Sequence, residues 1–386
     1  MAPMIAFTAE SLSTPITTIA RPVLIVEDGT IVRLESRGGM ELPAGVDLVP
    51  FNDCTIAPGF IDIHIHGSAG YDVMQADQSA RSHFEHFLAR HGVTSYYPTT
   101  VTAPLDITLT ALERLADAME SAEGRGGGRP LGVHLEGPFL SHARRGVHSP
   151  EDLLSPTIVM FDKFWQAARG HIRVMTIAPE LDGASDVIAE ATRRGVCVSI
   201  GHSDATLEFA RRGVAVGARH ATHTFNAMRH LDHRDPGILG EVLTNENVTA
   251  DVIADGFHVA PTVIDLLFKA KGPDNIVLIT DAISAAGMPD GNYKLGLLEV
   301  DVQGGKCVRD GRLAGSALIM DRAVQNVMNF AKCDLQHALR AATANPARVV
   351  GAQKKGVLEP GADADFVVLT AEGEVRATVI NGTLVQ

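Results

Sequence analysis

Features typical of secreted and membrane proteins are scarce in this chain of 386 residues. Its cysteines are Cys54, Cys197, Cys307 and Cys333. They are scattered and form no Cys-x-x-Cys pair, which is typical of a reducing compartment. No stretch reaches about 18 uninterrupted apolar residues, so we expect no membrane span. The N-terminus has no basic start followed by a continuous apolar run, so we expect no signal peptide and a cytoplasmic location.

Positive charge is also in deficit. The chain has 33 lysines and arginines against 46 aspartates and glutamates, which gives a formal net charge of −13. No general basic field exists to attract nucleic acid or an anionic membrane, so we expect neither as a partner. An anionic substrate would have to be held by a local cluster of positive groups. The length allows one large barrel domain with a smaller one, or two to three average domains.

The middle of the chain alternates strand-like apolar runs with helix-like amphipathic segments, the last of them at residues 319–350. The strand candidates are residues 60–66, 95–99, 132–136, 173–178, 196–201, 220–224, 248–254 and 276–280. Strands that alternate with helices form parallel βαβ units, and eight of them close a (β/α)8 TIM barrel. A doubly wound open sheet is the alternative, but no Gly-x-Gly-x-x-Gly follows the first strand.

The two chain ends differ from the middle. Short β-rich runs with turn residues between them occupy residues 21–57 and return after residue 364. Segments from opposite ends of a chain can pair into one small sheet module. We therefore predict a small β-sandwich domain of residues 1–57 plus 353–386, a catalytic barrel of residues 58–352, and a β insertion in the barrel near residues 286–313.

One run, residues 58–67, alternates apolar residues with Asp62, His64 and His66. This period of two is that of a β-strand, in which residues two apart point to the same face. Both imidazoles therefore project together, and neutral imidazole is the commonest metal ligand in proteins. An isolated His-x-His pair is more often structural, so its interpretation depends on the rest of the chain.

The ends of the other predicted strands supply more groups of the same kind. Glu136 ends the third strand, His202 follows the fifth, His223 lies at the end of the sixth, and Asp281 follows the eighth. Catalytic residues of this barrel type lie at the C-terminal ends of the strands, so these groups should converge with the first histidine pair. Four imidazoles and two carboxylates buried together are costly without a compensating cation. The sequence therefore predicts a divalent metal site.

The ligand types restrict the metal without selecting it. Histidine, aspartate and glutamate without cysteine suit Zn²⁺, Fe²⁺ or Mn²⁺, and we take Zn²⁺ as the first expectation. Glu136 can bridge two ions, one held by His64 and His66 and the other by His202 and His223, so one or two ions per subunit are expected. Asp281 then serves as general base for hydrolysis of an amide, a cyclic amide or an amidine-like C–N bond.

With these residues in place, the chain resembles the amidohydrolase superfamily, and within it the N-acetylglucosamine-6-phosphate deacetylases, over nearly its whole length. The narrower resemblance is carried by His-Leu-Glu-Gly-Pro-Phe-Leu at 134–140, Gly-His-Ser-Asp-Ala-Thr at 201–206, His-Thr-Phe-Asn-Ala-Met at 223–228, Ala-Asp-Gly-Phe-His at 254–258 and Leu-Ala-Gly-Ser at 313–316. The resemblance implies metal-dependent hydrolysis of the acetamide of N-acetylglucosamine 6-phosphate, in amino-sugar catabolism or cell-wall recycling.

The resemblance also implies residue roles. It implies that Glu136, His202 and His223 are metal ligands, that Asp281 is the catalytic acid and base, and that His148 reaches the substrate near the reacting amide. The positions implied for substrate binding are Val147, Asn226, Ala227, Arg234, His258, Leu313, Ala314 and Gly315. The arginine equivalent to Arg234 can reach into the site of a neighbouring subunit in this family, which implies a homodimer.

Alternatives remain at this point. Some members of the family lack the first His-x-His and work with one ion, whereas this chain keeps it and can hold two. A cyclic-amide hydrolase or an aminohydrolase of the same superfamily would use similar ligands, but the cyclic-amide enzymes often carry a bridging lysine after strand four. This chain has Ala178-Pro179-Glu180 there. A non-enzymatic scaffold would have lost ligands, and none is missing.

Overall fold

Short strands occupy both ends of the chain, and strands alternate with helices between them. The structure is a computed structural model that describes residues 4–36, 38, 45–75, 77–121 and 126–385. The strands are β1 (Ile5–Ser13), β2 (Thr18–Ala20), β3 (Pro22–Glu27), β4 (Thr30–Ser36), β5 (Asp47–Pro58), β6 (Phe60–Ile65), β7 (Gly67–Ser68), β8 (Tyr71–Asp72), β9 (Val93–Thr100), β10 (Arg129–Pro130), β11 (Val133–Glu136), β12 (Ile172–Ile177), β13 (Cys197–Ile200), β14 (His220–Ala221), β15 (Thr249–Ile253), β16 (Ile276–Ile279), β17 (Gly291–Leu295), β18 (Leu298–Gln303), β19 (Lys306–Arg309), β20 (Arg312–Leu313), β21 (Phe366–Leu369), β22 (Val375–Ile380) and β23 (Thr383–Val385). The α-helices are α1 (Gln78–Arg90), α2 (Leu105–Glu120), α3 (Ile158–Ala167), α4 (Ala184–Arg193), α5 (Leu207–Ala215), α6 (Gly237–Thr244), α7 (Pro261–Lys271), α8 (Met320–Phe330), α9 (Leu335–Ala342) and α10 (Ala344–Val350).

A parallel sheet forms the barrel. Its strands follow one another in the order β6, β9, β11, β12, β13, β14, β15 and β16, and every neighbouring pair is parallel. Each of the eight strands overlaps one that the sequence predicts, and nearly all of their residues are buried. Buried apolar runs are typical of parallel strands whose outer face is covered by helices. The predicted (β/α)8 barrel fold is therefore confirmed.

The barrel closes between its first and last strands through a few specific contacts. The backbone N–H of Asp281 donates to the carbonyl of His64 at 2.9 Å, and that of His66 donates to Ala282 at 2.8 Å. Below them, the Thr280 hydroxyl donates to the buried Asp62 carboxylate at 2.5 Å. Burial raises the pKa of Asp62 to about 7, although hydrogen bonds from Thr280 and from the backbone of His64 oppose the rise. Closure thus places the end of β6 directly beside the end of β16.

The covering helices show the expected spacing. In α4, the buried residues are Ala184, Val187, Ile188 and Ala191, at positions i, i+3, i+4 and i+7. This spacing forms one apolar stripe that packs on the barrel. Within the described residues, no helix has both the length and the apolar character needed to cross a bilayer.

Both ends of the chain join a second sheet of eight strands. Its order is β23-β22-β21-β5-β1-β3-β4, with β2 paired to β1. The C-terminal strand β21 pairs antiparallel with β5, so that Phe366 lies opposite Pro58. Phe7 and Phe366 meet edge to face in the core of this sheet, with ring centroids 4.9 Å apart. Of the region predicted as residues 1–57, residues 1–3, 37 and 39–44 lie outside the described ones, and the boundaries near 57 and 353 stay predictions.

A small antiparallel sheet of β17–β20 occupies part of the segment predicted as an insertion. It is attached to the barrel through the hairpin of β7 and β8, because Asp72 accepts a hydrogen bond from the backbone of Gly296 at 2.6 Å. Ser284 adds a bond to the carbonyl of Lys294 at 2.7 Å. The insertion is therefore held against the end of the barrel at which β6 and β16 meet.

A buried charged cluster joins the end sheet to the segment that follows the last barrel helix, α10. The Lys355 ammonium contacts Asp365 and lies 2.9 Å from Asp363. Asp365 also accepts the backbone N–H of Asn381 at 2.7 Å. We expect Lys355→Met to lower the free energy of unfolding by about 3–5 kcal/mol, because it leaves a buried carboxylate without its cation.

The matched control is Lys354→Met, since Lys354 is exposed and such substitutions usually change stability by less than about 0.5 kcal/mol. Denaturant titration followed by circular dichroism measures both variants. Equal midpoints for the two would show that the cluster contributes little.

Candidate active site

A pocket of about 260 Å³ opens at the C-terminal ends of the barrel strands. The predicted residues that line it are His66, Glu136, Val147, His148, His202, His223, Asn226, Ala227, His258, Asp281, Leu313 and Gly315. His64 and Ala314 lie buried behind its wall. Arg234 is exposed and does not reach the pocket of its own chain. The roles of these residues stay predictions, but closure of the barrel brings nearly all of them to one place.

One group of candidate ligands consists of His64, His66 and Asp281. The Nε2 atoms of the two histidines are 3.3 Å apart. Asp281 Oδ1 lies 3.4 Å from Nε2 of His64 and 3.2 Å from Nε2 of His66. All three ligand atoms therefore face one small volume.

Glu136 joins this group to a second one. Its Oε1 lies 3.3 Å from Nε2 of His202 and 3.2 Å from Nε2 of His223, whose Nε2 atoms are themselves 2.9 Å apart. The same Oε1 is 3.4 Å from Nε2 of His64, and Oε2 is 3.3 Å from Nε2 of His66. Glu136 thus has the position that a bridging carboxylate would need.

Outer hydrogen bonds set the tautomers of two histidines. The Nδ1–H of His66 donates to the carbonyl of Thr99 at 3.0 Å, and that of His202 donates to the carbonyl of Arg144 at 2.9 Å. With Nδ1 engaged in this way, Nε2 is the nitrogen that each ring can offer to a metal ion, whose binding displaces any proton on Nε2. Backbone carbonyls commonly orient metal-binding histidines in this way.

The electrostatics of the site fit a divalent cation. Burial alone would lower the pKa of His66 and of His223, but hydrogen bonds and charge from Asp281 and Glu136 raise these values to about 10 and about 9. Burial would raise the pKa of Asp281, yet the charge of His64 and the hydrogen bond from His66 hold it at about 2. The two carboxylates therefore stay ionised and demand positive charge close by, which a metal ion bound by imidazole nitrogens would supply.

The backbone is strained where it presents these groups. His202, His223 and Asp281 have φ values of 46°, 31° and 50°, in the left-handed region that non-glycine residues seldom adopt. Such conformations occur where surrounding contacts hold them and cluster at functional sites. Here each one turns the chain sharply just after a strand, and the side chain points into the pocket.

His148 is held by Thr102. The Thr102 backbone N–H donates to Nδ1 of His148 at 3.3 Å, and the Thr102 hydroxyl lies 2.8 Å from the same atom. Burial lowers the pKa of His148 to about 3, so its imidazole is neutral. Because Nδ1 accepts a hydrogen bond, the single proton is on Nε2, which lies 3.7 Å from Glu136 Oε2. With its proton on Nε2, His148 offers the pocket a hydrogen-bond donor, although its ring lies close to Glu136 and His202.

Gly137 makes this arrangement possible. It has a φ of +77°, and a Cβ at this position would lie 2.3 Å from the Thr102 hydroxyl oxygen. A larger residue would therefore displace either Glu136, its neighbour, or the threonine that orients His148.

The far side of the pocket offers donors to a polar ligand. Nδ1 of His258 donates to Asp255 at 2.7 Å, which leaves its Nε2 available. Asn226 Nδ2 is buried and has no hydrogen-bond partner among the described residues. An amide donor buried without a partner at a pocket wall is suited to an oxygen of a bound molecule.

Four pocket residues were not predicted from the sequence: Val101, Gly146, Leu295 and Arg312. Val101 follows β9, and Gly146 lies in the loop before His148. Leu295 and Arg312 come from the insertion. Their proximity results from loop conformation, for which the sequence carries no periodic signal, although Arg312 directly precedes the predicted Leu313.

Comparisons with known proteins agree with this geometry. The model of the amidohydrolase family matches residues 55–385. The chain therefore belongs to the amidohydrolase family.

The similar proteins narrow this class. N-acetylglucosamine-6-phosphate deacetylase of Bos taurus is 41% identical over 346 residues, which cover 86% of this chain and 83% of that protein. The enzyme of the same name from Vibrio furnissii is 35% identical over 365 residues, or 94% of this chain and 90% of that one. Within the amidohydrolases, the chain belongs to the family of the N-acetylglucosamine-6-phosphate deacetylases.

Solved structures agree. A variant of N-acetyl-D-glucosamine-6-phosphate deacetylase from Mycobacterium smegmatis, in complex with N-acetyl-D-glucosamine-6-phosphate, has a TM-score of 0.93 at 32% identity and covers both chains fully. The Thermotoga maritima deacetylase has a TM-score of 0.87 at 32% identity, covering 97% of this chain and 98% of that one. One further relative has another name: N-acetylgalactosamine-6-phosphate deacetylase of Escherichia coli O157:H7, 37% identical over 363 residues, covers 94% of each chain.

The central position of Glu136 leads to a prediction about metal affinity. We expect Glu136→Gln to weaken Zn²⁺ binding by more than about tenfold, since even the loss of an outer hydrogen-bonding partner of a metal ligand costs that much. Titration of chelator-treated protein with Zn²⁺ measures the change. Glu151→Gln, at an exposed glutamate in a nearby loop, should keep the wild-type affinity. Unchanged affinity in Glu136→Gln would exclude the bridging role.

Proposed function

We propose that the protein hydrolyses the acetamide of N-acetylglucosamine 6-phosphate to glucosamine 6-phosphate and acetate. The observation that carries this proposal is the position of Glu136, between two histidine groups and opposite Asp281, in a pocket that also presents unpartnered donors. The substrate is the one named for the relatives at 35–41% identity. The reaction belongs to amino-sugar catabolism or cell-wall recycling.

The residues that would hold the metal are His64, His66, Glu136, His202 and His223. Their donor atoms are nitrogen and oxygen, with Zn²⁺ first among the candidates and Fe²⁺ and Mn²⁺ next, and two groups of ligands allow one or two ions per subunit. A bound divalent ion polarises an amide carbonyl and lowers the pKa of water to about 7.

Asp281 moves the proton in this proposal. Its carboxylate is ionised and lines the pocket, so it can take a proton from the attacking water. The same group then returns the proton to the amine nitrogen as the C–N bond breaks. Its Oδ1 lies 3.2 Å from Nε2 of His66, so this carboxylate stays beside the proposed metal ligands during both transfers.

His148 stabilises the negative charge that develops on the acetamide oxygen. Its neutral imidazole directs an Nε2–H toward the pocket because Thr102 occupies Nδ1. A preorganised donor of this kind needs no rearrangement as the tetrahedral intermediate forms.

The sugar phosphate is assigned to the other side of the pocket. Val147, Asn226, Ala227, His258, Leu313, Ala314 and Gly315 are the residues proposed to hold it. Arg234 is exposed, which suits a homodimer in which Arg234 of each chain serves the pocket of the other. The four free cysteines suit the reducing cytoplasm proposed as the location.

Two alternatives, hydrolysis of a cyclic amide and deacetylation of another sugar phosphate, have less support. In place of a bridging lysine after β12, Glu180 accepts hydrogen bonds from the Ser203 hydroxyl at 2.7 Å and from the backbone of Asp204 at 2.6 Å, so it is engaged in structure. A cyclic-amide hydrolase is therefore disfavoured. N-acetylgalactosamine 6-phosphate is the rival that one relative's name supports.

The catalytic role of Asp281 is tested by Asp281→Asn. We expect kcat to fall by about 10²–10⁴-fold, the range of a general acid–base contribution, with metal at the Glu136–His202–His223 group retained. Acetate release and metal content are measured in the same sample. Asp301→Asn, an exposed aspartate of the insertion, should leave kcat unchanged. Near-normal turnover in Asp281→Asn would exclude the role.

The substrate is tested by acetate release from three compounds: N-acetylglucosamine 6-phosphate, its 4-epimer N-acetylgalactosamine 6-phosphate, and unphosphorylated N-acetylglucosamine. We expect the highest kcat/KM for the first. A higher value for the galacto epimer would reassign the sugar, and equal values with and without phosphate would remove the phosphate-binding assignment.

A further inference from the structure

One pocket residue has no place in the reaction described above. Arg312 is, among the residues that the structure describes, the only lysine or arginine lining the pocket. It lies on β20, the last strand of the insertion, directly before Leu313. Its side chain reaches across the pocket mouth, where Nη1 donates to the carbonyl of Gly146 at 3.0 Å.

The charge of Arg312 is not neutralised within the described part of the chain. Its guanidinium makes no ion pair there, and the carbonyl of Gly146 is the only hydrogen-bond partner of its side chain. Two other arginines differ. Arg144 lies 2.8 Å from Asp204, and Arg309, in the same small sheet as Arg312, lies 3.5 Å from Asp310. Arg312 therefore keeps guanidinium N–H groups available beside the pocket.

A phosphate dianion needs such a charge in this protein. The chain carries a net charge of −13, and the pocket itself contains the carboxylates of Glu136 and Asp281. Arg234 of the same chain lies outside the pocket. A guanidinium binds phosphate in a two-pronged arrangement, which gives both charge compensation and orientation.

We propose that Arg312 is the phosphate-recognising residue that each chain supplies to its own pocket. The inference rests on the proposed function and deepens it by naming the residue that selects phosphorylated over unphosphorylated sugar. One N–H of the guanidinium keeps its bond to Gly146, and the remaining N–H groups bind the phosphate oxygens.

The bond to Gly146 also raises a competing explanation. A Cβ on Gly146 would lie 3.2 Å from Cε1 of His202, so this loop rests against a candidate metal ligand and leads to His148. If Arg312 only fixes the loop, its loss would disturb hydrolysis of every substrate equally. Phosphate recognition would instead affect phosphorylated substrates alone.

The test compares Arg312→Met with the control Arg309→Met. Arg309 lies in the same small sheet as Arg312, and its guanidinium also donates to one backbone carbonyl, that of Glu299, at 3.2 Å. We expect Arg312→Met to raise KM for N-acetylglucosamine 6-phosphate by about 10–100-fold, the loss expected for hydrogen bonds to a charged group. The kcat/KM for unphosphorylated N-acetylglucosamine should stay within about twofold of wild type. Arg309→Met should change neither value, and Arg312→Lys should fall between wild type and Arg312→Met.

A binding measurement separates the proposal from turnover. Calorimetry with glucose 6-phosphate, which has no acetamide, should show the same loss of affinity in Arg312→Met and none in Arg309→Met. Equal losses for phosphorylated and unphosphorylated substrates, or unchanged binding of glucose 6-phosphate, would overturn the assignment. If the wild-type protein binds glucose 6-phosphate through Arg312 but releases no acetate from N-acetylglucosamine 6-phosphate, only the proposed function is contradicted.

Discussion

The meeting of β6 with β16 is the constraint on which the pocket depends. Asp62 accepts a hydrogen bond from the Thr280 hydroxyl, and two residues further along β6 the carbonyl of His64 accepts one from the backbone N–H of Asp281. These bonds hold the first histidine pair beside the aspartate that follows the last strand. Without them, the ligands from the two ends of the barrel sheet would belong to separate edges and could not face one ion.

Charge balance is the second constraint on the site. Glu136 and Asp281 are buried and ionised, and the imidazoles that surround them are aimed by backbone carbonyls such as those of Thr99 and Arg144. The pocket is thus arranged to concentrate negative charge where a cation binds. The opposite requirement, positive charge for an anionic substrate, has to be met at the rim, where Arg312 lies.

The sequence predicted the parts of this protein that repeat. Alternating runs predicted all eight barrel strands, and polar residues at the ends of five of these runs predicted the groups that meet in the pocket, because parallel strands end on one side. The long helical pattern at 319–350 divides into α8, α9 and α10, since Asp334 caps a new helix by accepting the His337 N–H. Loop conformation could not be predicted. Neither the hydrogen bond from Arg312 to Gly146 nor those between Thr102 and His148 depend on a periodic pattern in the sequence.

The end sheet has a consequence for the order of assembly during synthesis. Strand β5 leads directly into β6, yet its partner β21 emerges from the ribosome about 300 residues later, by the register that pairs Phe366 with Pro58. Until then β5 has one unpaired edge, and an open edge of this kind can capture another chain. The nascent protein must therefore carry an incomplete sheet beside its nearly finished barrel, and only its final strands seal that edge.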